Sequence, residues 1–310
     1  MNQKRGVVAL DVGGTKIACG LFLEGGDVLF QKTVATIQES ADASVGQLVS
    51  LVDEAVSESP VDVVAGAVGV VIPGWVDRNA RAVWAPNILG WDHLQLERRL
   101  AERIPLPIIL DSDRSACVKG EAWLGAARGL KDVVFLAVGT GIGAGIMAGG
   151  KILHGHDDLA GSVGWMALNP QFQDLYIQMG CFEAEASGNS VGRKGTAAMS
   201  EGEAAGGRAM TARDIVEAAA SHEPKAKMIL DEVVVYLGMG IANLVTVLNP
   251  EMVVLGGGLF QGGAYLLDRV RREFVRWAQP FAAQRVRVEL SALGDRAALI
   301  GAARIAFDNI

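Results

Sequence analysis

The sequence is poor in the residues that build disulfide frameworks or zinc sites. Its 310 residues include three cysteines, Cys19, Cys117 and Cys181, which lie far apart and form no CxxC pair. The cysteine pattern therefore indicates neither a disulfide network nor a complete zinc site. Unpaired cysteines fit a reducing compartment, so we expect a cytoplasmic protein.

A concentrated positive charge is also lacking. The chain carries 28 basic and 35 acidic residues, a formal net charge of −7, without a basic block. This balance argues against nucleic-acid and membrane-surface partners. The first residues, MNQKRG, enter an apolar run directly, and we predict no signal peptide. Two charge-free stretches, 133–150 and 233–250, contain several glycines and polar residues, and we interpret both as core segments instead of membrane spans.

The stretch around which the rest is organised is VALDVGGT, Val8 to Thr15. An apolar run that ends at an aspartate and two glycines is typical of a buried strand whose end turns sharply and offers backbone N–H groups to an anion. The hydroxyl of Thr15 adds a donor, and Asp11 could hold a metal ion that bridges phosphates. Taken alone, the motif fits an ordinary strand and glycine turn equally well.

A second copy of this pattern occurs later in the chain. Residues 7–34 read as three antiparallel strands, followed by a helix and further strands that end at Asp111-Ser112-Asp113. Val138-Gly139-Thr140-Gly141 repeats the first glycine loop at an offset of 126 residues, and the Gly-Gly turns at 25 and 149 repeat at 124. Two copies of one unit predict duplicated lobes with a cleft between them. The segment 189–207 is predicted to be a surface loop or short helices, and 223–248 a long helix.

These motifs together resemble the sugar kinases of the ROK family (repressor, open reading frame, kinase) in the actin-like ATPase superfamily. The resemblance covers nearly the whole chain and rests on DVGGTK at 11–16, GVVIPGWVD at 69–77, NILGW at 87–91, EAWLGAARG at 121–129, VGTGIGAGI at 138–146, GCFEAEASG at 180–188 and NPEMVVLGGGL at 249–259. It implies a duplicated, ribonuclease-H-like α/β fold. We expect an N-terminal lobe over 1–113, onto which a C-terminal helix at 297–310 packs back, and a larger lobe over 114–296.

The resemblance also implies the chemistry. Asp113 would be the general base of an ATP-dependent sugar kinase, although an isolated Ser-x-Asp is more often a helix N-cap. Asp11 would hold Mg²⁺, directly or through water. The expected nucleotide-binding residues are Asp11, Gly13, Gly14, Thr15, Lys16, Gly139, Thr140, Gly141, Gly143, Gly256, Gly257 and Gly258. The expected sugar-binding residues are Gly74, Asn87, Gly90, Ser112, Ser162, Trp165 and Glu183.

The chain departs from the family pattern in two places. Where the family has Ala-Gly-Glu-x-Gly-His, this chain has Ala160-Gly-Ser162-Val-Gly-Trp165, and where it has CxCGxxGC this chain keeps Cys181 alone. In the family, the histidine of the first motif and the three cysteines of the second hold a structural zinc. Only one of these four ligands is kept here, so we predict no structural zinc, with Trp165, Tyr176, Ile177 and Met179 packing apolar surface in its place.

The residues that contact the sugar, which is the phosphoryl acceptor, differ from the family pattern as well. The lost glutamate and histidine, and the serine at 112 where the family has asparagine, remove polar sugar contacts, so an altered acceptor such as a modified, amino or substituted hexose is expected instead of glucose. A catalytically weak sugar sensor is the alternative. A ROK repressor would need a helix-turn-helix domain ahead of the first strand, for which no room is visible. By resemblance we expect a dimer or tetramer.

Overall fold

The computed structural model describes residues 3–199, 209–262 and 264–310. It separates into two compact units, each assembled from more than one part of the chain. The first unit comprises Met1–Gly129, Ile152–Ala160 and Asp295–Ile310, and the second comprises Leu130–Lys151 and Gly161–Gly294.

The described residues alternate strands and helices. The strands are β1 (Lys4–Val12), β2 (Lys16–Leu23), β3 (Val28–Ala35), β4 (Val63–Ile72), β5 (Trp75–Asp77), β6 (Ala82–Trp84), β7 (Ile108–Ser112), β8 (Val133–Val138), β9 (Ile142–Ala148), β10 (Lys151–Ile152), β11 (Met252–Gly256) and β12 (Arg287–Leu290). The helices are α1 (Ala41–Ser57), α2 (Leu96–Ala101), α3 (Asp113–Leu124), α4 (Tyr176–Met179), α5 (Cys181–Ala186), α6 (Gly188–Met199), α7 (Ala212–Ala220), α8 (Pro224–Leu248), α9 (Ala264–Trp277), α10 (Pro280–Arg285) and α11 (Ala297–Phe307).

The two main sheets share one topology. The first unit contains the strand order β3-β2-β1-β4-β7, and the second contains β10-β9-β8-β11-β12. In the first sheet, β1 pairs antiparallel with β2 and parallel with β4, and in the second β8 pairs antiparallel with β9 and parallel with β11. The repeated glycine-loop pattern in the sequence therefore corresponds to a repeated three-strand meander followed by parallel strands. This is the duplicated α/β architecture that the sequence predicts.

Each sheet is covered by apolar helix faces. In the first unit, the valine and leucine side chains of α1 pack on β1, β2 and β4 in one buried cluster. In the second unit, α5 and α8 contribute to a cluster with β8, β9 and β11. By length and composition α8 could cross a membrane, but 61% of its most apolar window is buried inside the protein, as in a core helix.

Helices α3 and α11 pack closely because glycines replace side chains at their contact. A Cβ on Gly301 would lie 1.7 Å from the Ala116 carbonyl oxygen, and one on Gly120 would lie 2.4 Å from that of Ala297. Helix α3 therefore belongs with α11 in the first unit, which extends to Gly129. The boundary predicted from the sequence lies at 113, one helix earlier, although the C-terminal helix was expected to pack back on the N-terminal part.

The sequence predicts a surface loop or short helices over 189–207, and where the structure describes this segment it is a helix. Residues up to Met199 form α6, whose glycines let neighbouring elements approach: a Cβ on Gly192 would lie 2.6 Å from the Met210 carbonyl oxygen, and one on Gly195 would lie 2.3 Å from a methyl of Ile215. Here close packing overrides the low helix propensity of glycine. Residues 200–207 of that prediction lie outside the described residues.

Candidate functional site

The first glycine loop of the first unit is closed by local hydrogen bonds. Asp11 precedes Val12, the last residue of β1, and the Gly13 N–H donates to the Lys16 carbonyl at 2.9 Å. The hydroxyl of Thr36 donates to the Gly13 carbonyl at 2.6 Å. These bonds occupy the carbonyl groups of the loop, while Thr15 and Lys16 remain exposed.

A second loop, which carries Asn87, lies directly against this one. A Cβ on Gly14 would lie 2.6 Å from the Asn87 carbonyl oxygen, so only glycine permits the contact. The side-chain amide of Gln38 donates to both the Gly14 and Asn87 carbonyls and accepts from the Leu89 N–H. The structure thus joins a predicted nucleotide residue to a predicted sugar residue. Gln38 was missed because its partners lie up to 51 residues away in the sequence.

Asp113 is the first residue of α3, directly after β7. The helix cap is Ser112, whose hydroxyl accepts from the Ser115 N–H at 3.2 Å, and this leaves Asp113 without the capping role that was its alternative interpretation. Asp113 is half-buried, and burial raises the pKa of its carboxyl.

Asp11 and Asp113 influence each other electrostatically. Burial, then the negative charge of Asp113, raises the pKa of Asp11 to about 7, against the opposing effect of Lys16; Asp295 adds a smaller increase. A carboxyl with such a pKa favours the binding of a proton or a cation. No group of three or more His, Cys, Asp and Glu side chains within 3–199, 209–262 and 264–310 is arranged to hold a metal.

A charged cluster that sequence reasoning missed surrounds the end of β7. Asp111 is 5% exposed, and its carboxylate lies 3.0 Å from both the Arg78 guanidinium and the His154 Nε2. Arg78 also pairs with Asp158, which has a left-handed backbone at φ 56°. Burial alone would raise the pKa of Asp111, but its bonds to His154, Arg78 and the Ser112 N–H outweigh it and hold the pKa below its usual value. The cluster holds the 152–160 segment against Asp111, which precedes Asp113 by two residues in the chain.

The predicted glycines at 74 and 90 have positive φ angles, 133° and 79°. A Cβ on Gly74 would lie 2.2 Å from the Trp84 carbonyl oxygen, and one on Gly90 would lie 3.0 Å from the Ala41 Cβ. Backbone conformation and space therefore account for glycine at both positions. Nothing in these contacts assigns them to a sugar.

The second glycine loop, in the second unit, follows β8. The Gly139 N–H donates to the Gly141 carbonyl at 2.9 Å, and the Gly188 N–H donates to the Gly139 carbonyl at 2.7 Å. The carboxylate of Glu183, on α5, accepts from the Ile142 N–H at 2.7 Å. Glu183, a predicted sugar-binding residue, is thus attached to the predicted phosphate loop, and Gly141 leaves room for it, since a Cβ there would lie 2.5 Å from the carboxylate.

A cavity of about 850 Å³ opens beside this loop within the second unit. Three of the predicted nucleotide residues line it: Gly139, Thr140 and Gly258. Sequence reasoning did not assign the rest of its wall, which comes from Leu259, next to Gly258, and from α6, α7 and the residues before α7: Gly188, Asn189, Gly192, Arg193, Thr196, Ala197, Ala209, Met210, Thr211, Ala212 and Arg213. Because the segment that forms α6 was predicted only as a surface loop or short helices, its residues were not assigned to a site.

The third glycine run shapes the end of β11. Gly257 has φ 90°, and a Cβ there would lie 2.5 Å from the Val138 carbonyl oxygen, whereas one on Gly258 would meet nothing within 4 Å. Gly256 accommodates the Phe135 ring at 2.3 Å from the same hypothetical atom. The run therefore keeps the backbone next to β8 and leaves Gly258 open to the cavity.

Ser162 directly precedes a short 3₁₀ turn, Val163–Trp165, and Trp165 is its last residue. Trp165 is 58% exposed and Ile177 is 67% exposed, so the predicted apolar packing of these two side chains is wrong. The predicted apolar packing is confirmed for Tyr176 and Met179, which lie in or against the hydrophobic core of the second unit, and the Tyr176 hydroxyl donates to Glu185.

The predicted residues divide between the units. The first unit carries Asp11, Gly13, Gly14, Thr15, Lys16, Gly74, Asn87, Gly90, Ser112 and Asp113, and the second carries Gly139, Thr140, Gly141, Gly143, Ser162, Trp165, Glu183, Gly256, Gly257 and Gly258.

Comparison with known proteins agrees with this fold. The profile of the ROK family matches residues 7–309. A glucokinase of Halalkalibacterium halodurans is 30% identical over 310 residues, covering 96% of this chain and 93% of that protein. The crystal structure of a ROK hexokinase from Thermus thermophilus superposes with a TM-score of 0.87 at 31% identity, covering 98% of both chains. A ROK family glucokinase from Streptomyces griseus, solved in complex with glucose and AMPPNP, superposes with a TM-score of 0.77 at 31% identity, covering 98% of this chain and 99% of that one. The chain therefore belongs to the ROK family.

Proposed function

We propose that this chain, an ATP-dependent sugar kinase, transfers a phosphoryl group from ATP to a hydroxyl of a hexose or modified hexose, with Asp113 as general base. The observation that carries the proposal is the electrostatic pair of Asp11 and Asp113: two half-buried carboxyls in one unit, both with raised pKa values.

Asp113 has the properties that a base for this reaction needs. In phosphoryl transfer the protein contributes positioning and charge stabilisation more than covalent chemistry, and a carboxylate accepts the proton of the attacking hydroxyl. Burial raises the pKa of Asp113, which makes its carboxylate a stronger base than an exposed one. Because Ser112 caps α3, the Asp113 carboxylate does not serve as the cap.

The cavity of the second unit supports nucleotide binding. Its lining combines the glycine-loop residues Gly139 and Thr140 with the open Gly258. Exposed backbone N–H groups of such loops suit phosphate oxygens. We propose that the base and ribose of ATP occupy the α6 and α7 side of the cavity, where Arg193, Thr196 and Met210 lie.

Asp11 is the residue that we propose to hold Mg²⁺, directly or through water. Its raised pKa reflects burial and the charge of Asp113, which the positive charge of Lys16 offsets only in part, so the carboxyl fits a cation. One or two carboxylates together with substrate phosphates are the usual protein ligands of Mg²⁺. When bound, the ion neutralises charge on the phosphate oxygens.

The acceptor pocket is proposed to differ from that of a glucose-specific enzyme. Ser162 and Trp165 supply neither a carboxylate nor an imidazole, and Glu183 already accepts a backbone hydrogen bond from Ile142. Sites that hydrogen-bond a hydroxyl discriminate strongly by that bond, so the loss of two polar partners changes the preferred sugar. We further propose a homo-oligomer, as a dimer or tetramer, in the cytoplasm.

An ADP-release assay tests the proposal. The purified chain is supplied with ATP, Mg²⁺ and a panel of glucose, amino, N-acylated and glycosidically substituted hexoses. At least one sugar should stimulate ADP release, and Asp113→Asn should lower kcat by about 10²- to 10⁴-fold. Asp53→Asn, the same change at an exposed position of α1, should leave kcat unchanged.

Two results would contradict the proposal separately. If no sugar stimulates ADP release and Asp113→Asn behaves like the parent, the kinase proposal fails and the chain is a sugar-binding protein. Fast phosphorylation of glucose with a micromolar KM would overturn only the altered acceptor.

A further inference from the structure

Of the four positions that correspond to zinc ligands in the family pattern, Cys181, Tyr176 and Trp165 do not fit a metal here, and the fourth is the exposed Asp174. Cys181 Sγ accepts hydrogen bonds from the Leu168 N–H at 3.4 Å and the Asn169 N–H at 3.3 Å. The Tyr176 hydroxyl donates to Glu185, and Trp165 provides only an exposed indole. A thiol occupied by two backbone groups and a phenol engaged with a carboxylate do not make a structural zinc site, which needs four N or S ligands.

A polar cluster occupies this place instead, and its centre is Glu185. The carboxylate is 4% exposed and accepts from the Tyr176 hydroxyl, from the Asn169 amide at 3.1 Å and from the Gln173 amide at 3.4 Å. The Lys194 ammonium lies 3.0 Å away. We call Asn169, Gln173, Tyr176, Glu185 and Lys194 the Glu185 cluster.

The charge of this buried carboxylate is well compensated. Burial by itself would raise the pKa of Glu185, but hydrogen bonds from Tyr176, Lys194 and Asn169 outweigh it and hold the pKa below its usual value. Burial and the bond to Glu185 raise the pKa of Tyr176 above its usual range. Glu185 is therefore ionised and Tyr176 is a neutral donor at physiological pH, as their hydrogen bond requires.

The cluster joins several elements of the second unit. Lys194, on α6, also donates to the Glu185 backbone carbonyl at 3.1 Å and pairs with Glu232 of α8 at 2.8 Å. Cys181 and Glu185 are four residues apart on α5, so they share one face and hold the 168–176 segment along it. This is the role that a bound metal ion would otherwise have in this segment.

The same helix carries one predicted sugar-binding residue, Glu183, on its other side. Glu183 lies two positions from Glu185, about 200° around the helix, and its carboxylate binds the Ile142 N–H. The Phe182 N–H donates to the Met166 carbonyl at 3.2 Å, and a Cβ on Gly180, with φ 83°, would lie 2.5 Å from the Gly164 carbonyl oxygen. Displacing α5 would move Glu183 and the 162–165 turn together.

We propose that the Glu185 cluster, a hydrogen-bonded carboxylate, takes the place of a structural metal and positions the predicted sugar-binding residues Ser162, Trp165 and Glu183. Glu185 and Tyr176 are positioning residues, not catalytic ones. The kinetic part of this proposal rests on the proposed sugar kinase function, whereas the structural part does not.

Tyr176→Phe and Glu185→Gln test the positioning role. Tyr176→Phe removes one hydroxyl without changing the ring, and Glu232→Gln is the control, because it removes the exposed partner of the same lysine. We expect the sugar KM to rise about 10-fold in both test variants while kcat and the ATP KM stay within about 3-fold, and Glu232→Gln to match the parent. A loss of kcat and thermal stability with an unchanged sugar KM would make the cluster a fold element only and overturn the positioning role.

Hydrogen exchange gives a readout that does not need activity. Amides of 166–181 should exchange at least 10-fold faster in Tyr176→Phe and Glu185→Gln than in Glu232→Gln, whereas those of β8 and α8 should not change. Equal exchange in all three variants would overturn the cluster as an anchor. If the parent phosphorylates no sugar, the proposed function fails, and the exchange data still decide the anchor.

Elemental analysis tests the metal-free part. Protein produced in zinc-supplemented medium should contain far less than one zinc per chain, and a zinc chelator in excess Mg²⁺ should leave its melting temperature unchanged. One zinc per chain whose removal lowers the melting temperature would overturn this part.

Discussion

At the scale of single residues, the region around Asp113 shows how much local sequence can indicate. The run Asp111-Ser112-Asp113 at a strand end predicted a functional position, and the structure distributes the three side chains among different tasks: Asp111 anchors Arg78 and His154, Ser112 caps α3, and Asp113 remains without the capping role. The partners of Asp111 lie 33 and 43 residues away in the chain, on segments without a periodic or motif signal. Long-range ion pairs of this kind could not be predicted from the sequence.

Asp11 gives a pH-dependent prediction at this scale. Its folded pKa of about 7 is raised above the unfolded value, so the native protein binds more protons, and the stability this provides at low pH is lost as the pH rises from about 4 through 7. In Mg²⁺-free buffer, Asp11→Asn should therefore be more stable than the parent at pH 7.5 by about 1–3 kcal/mol, below the ceiling of ~4 kcal/mol that the shift sets. At pH 4 the difference should largely vanish, as measured by denaturant unfolding.

Magnesium should reverse the difference in stability between the parent and Asp11→Asn. Millimolar Mg²⁺ at pH 7.5 should stabilise the parent and leave Asp11→Asn unaffected, because binding to the native state alone shifts the unfolding equilibrium. A parent that gains no stability from Mg²⁺, or a variant that gains as much, would contradict the assignment of Asp11.

At the scale of secondary-structure elements, those with a clear apolar periodicity were predicted well, and those that depend on close packing were predicted less well. Strand β1 and helices α8 and α11 were predicted within a few residues, because apolar periodicity and Pro or Gly boundaries define them locally. Helix α6 was left undecided between a loop and short helices, because its glycines serve contacts with Met210 and Ile215 that sequence alone does not reveal. Its position matters, since it lines the cavity proposed for ATP.

The contact of α3 with α11 gives the prediction for this scale. Gly301→Ala places a Cβ 1.7 Å from the Ala116 carbonyl oxygen, and neither backbone can move without shifting a helix. We expect a loss of about 3 kcal/mol or more in the free energy of unfolding. Because α3 begins at Asp113, any folded fraction should also show a lower kcat.

Gly46→Ala is the matched control. Its added Cβ would meet only the Arg103 guanidinium at 3.7 Å, an ordinary contact, within helix α1. Alanine there should stabilise the helix by about 0.5–1 kcal/mol. Thermal and denaturant unfolding of both variants measure the difference, and equal stabilities would show that the close approach of α3 and α11 does not limit packing.

At the scale of the whole molecule, duplication was the most informative sequence feature. The glycine loops repeat at an offset of 126 residues and the Gly-Gly turns at 124, which predicted two copies of one unit. The strand orders of the two main sheets agree with this prediction. The two copies differ after the meander, because the second unit adds α4 to α7 and the segment just before α4, which together contain the Glu185 cluster and much of the cavity wall. The sheet topology that the two units share could therefore be predicted from the repeated motifs. The Glu185 cluster and most of the cavity wall lie in the segment that the second unit adds, and the repeat gives no information about it.

That asymmetry leads to a prediction about substrate choice. If catalysis is retained and only the acceptor side has changed, then Ser162→Glu combined with Trp165→His should restore the family pattern and raise kcat/KM for glucose at least 10-fold. Trp165 is 58% exposed, so its replacement opens no cavity in the core, and the Trp165 N–H to Ser162 carbonyl bond at 3.2 Å involves only backbone. Coupled ADP-release kinetics with glucose and with the parent's preferred sugar measure the change. Ser162→Gln with Trp165→Phe serves as the comparison, because it alters the same positions without a carboxylate or an imidazole; if it raised kcat/KM for glucose as much as the restoring pair, the polar contacts would not be the basis of acceptor choice.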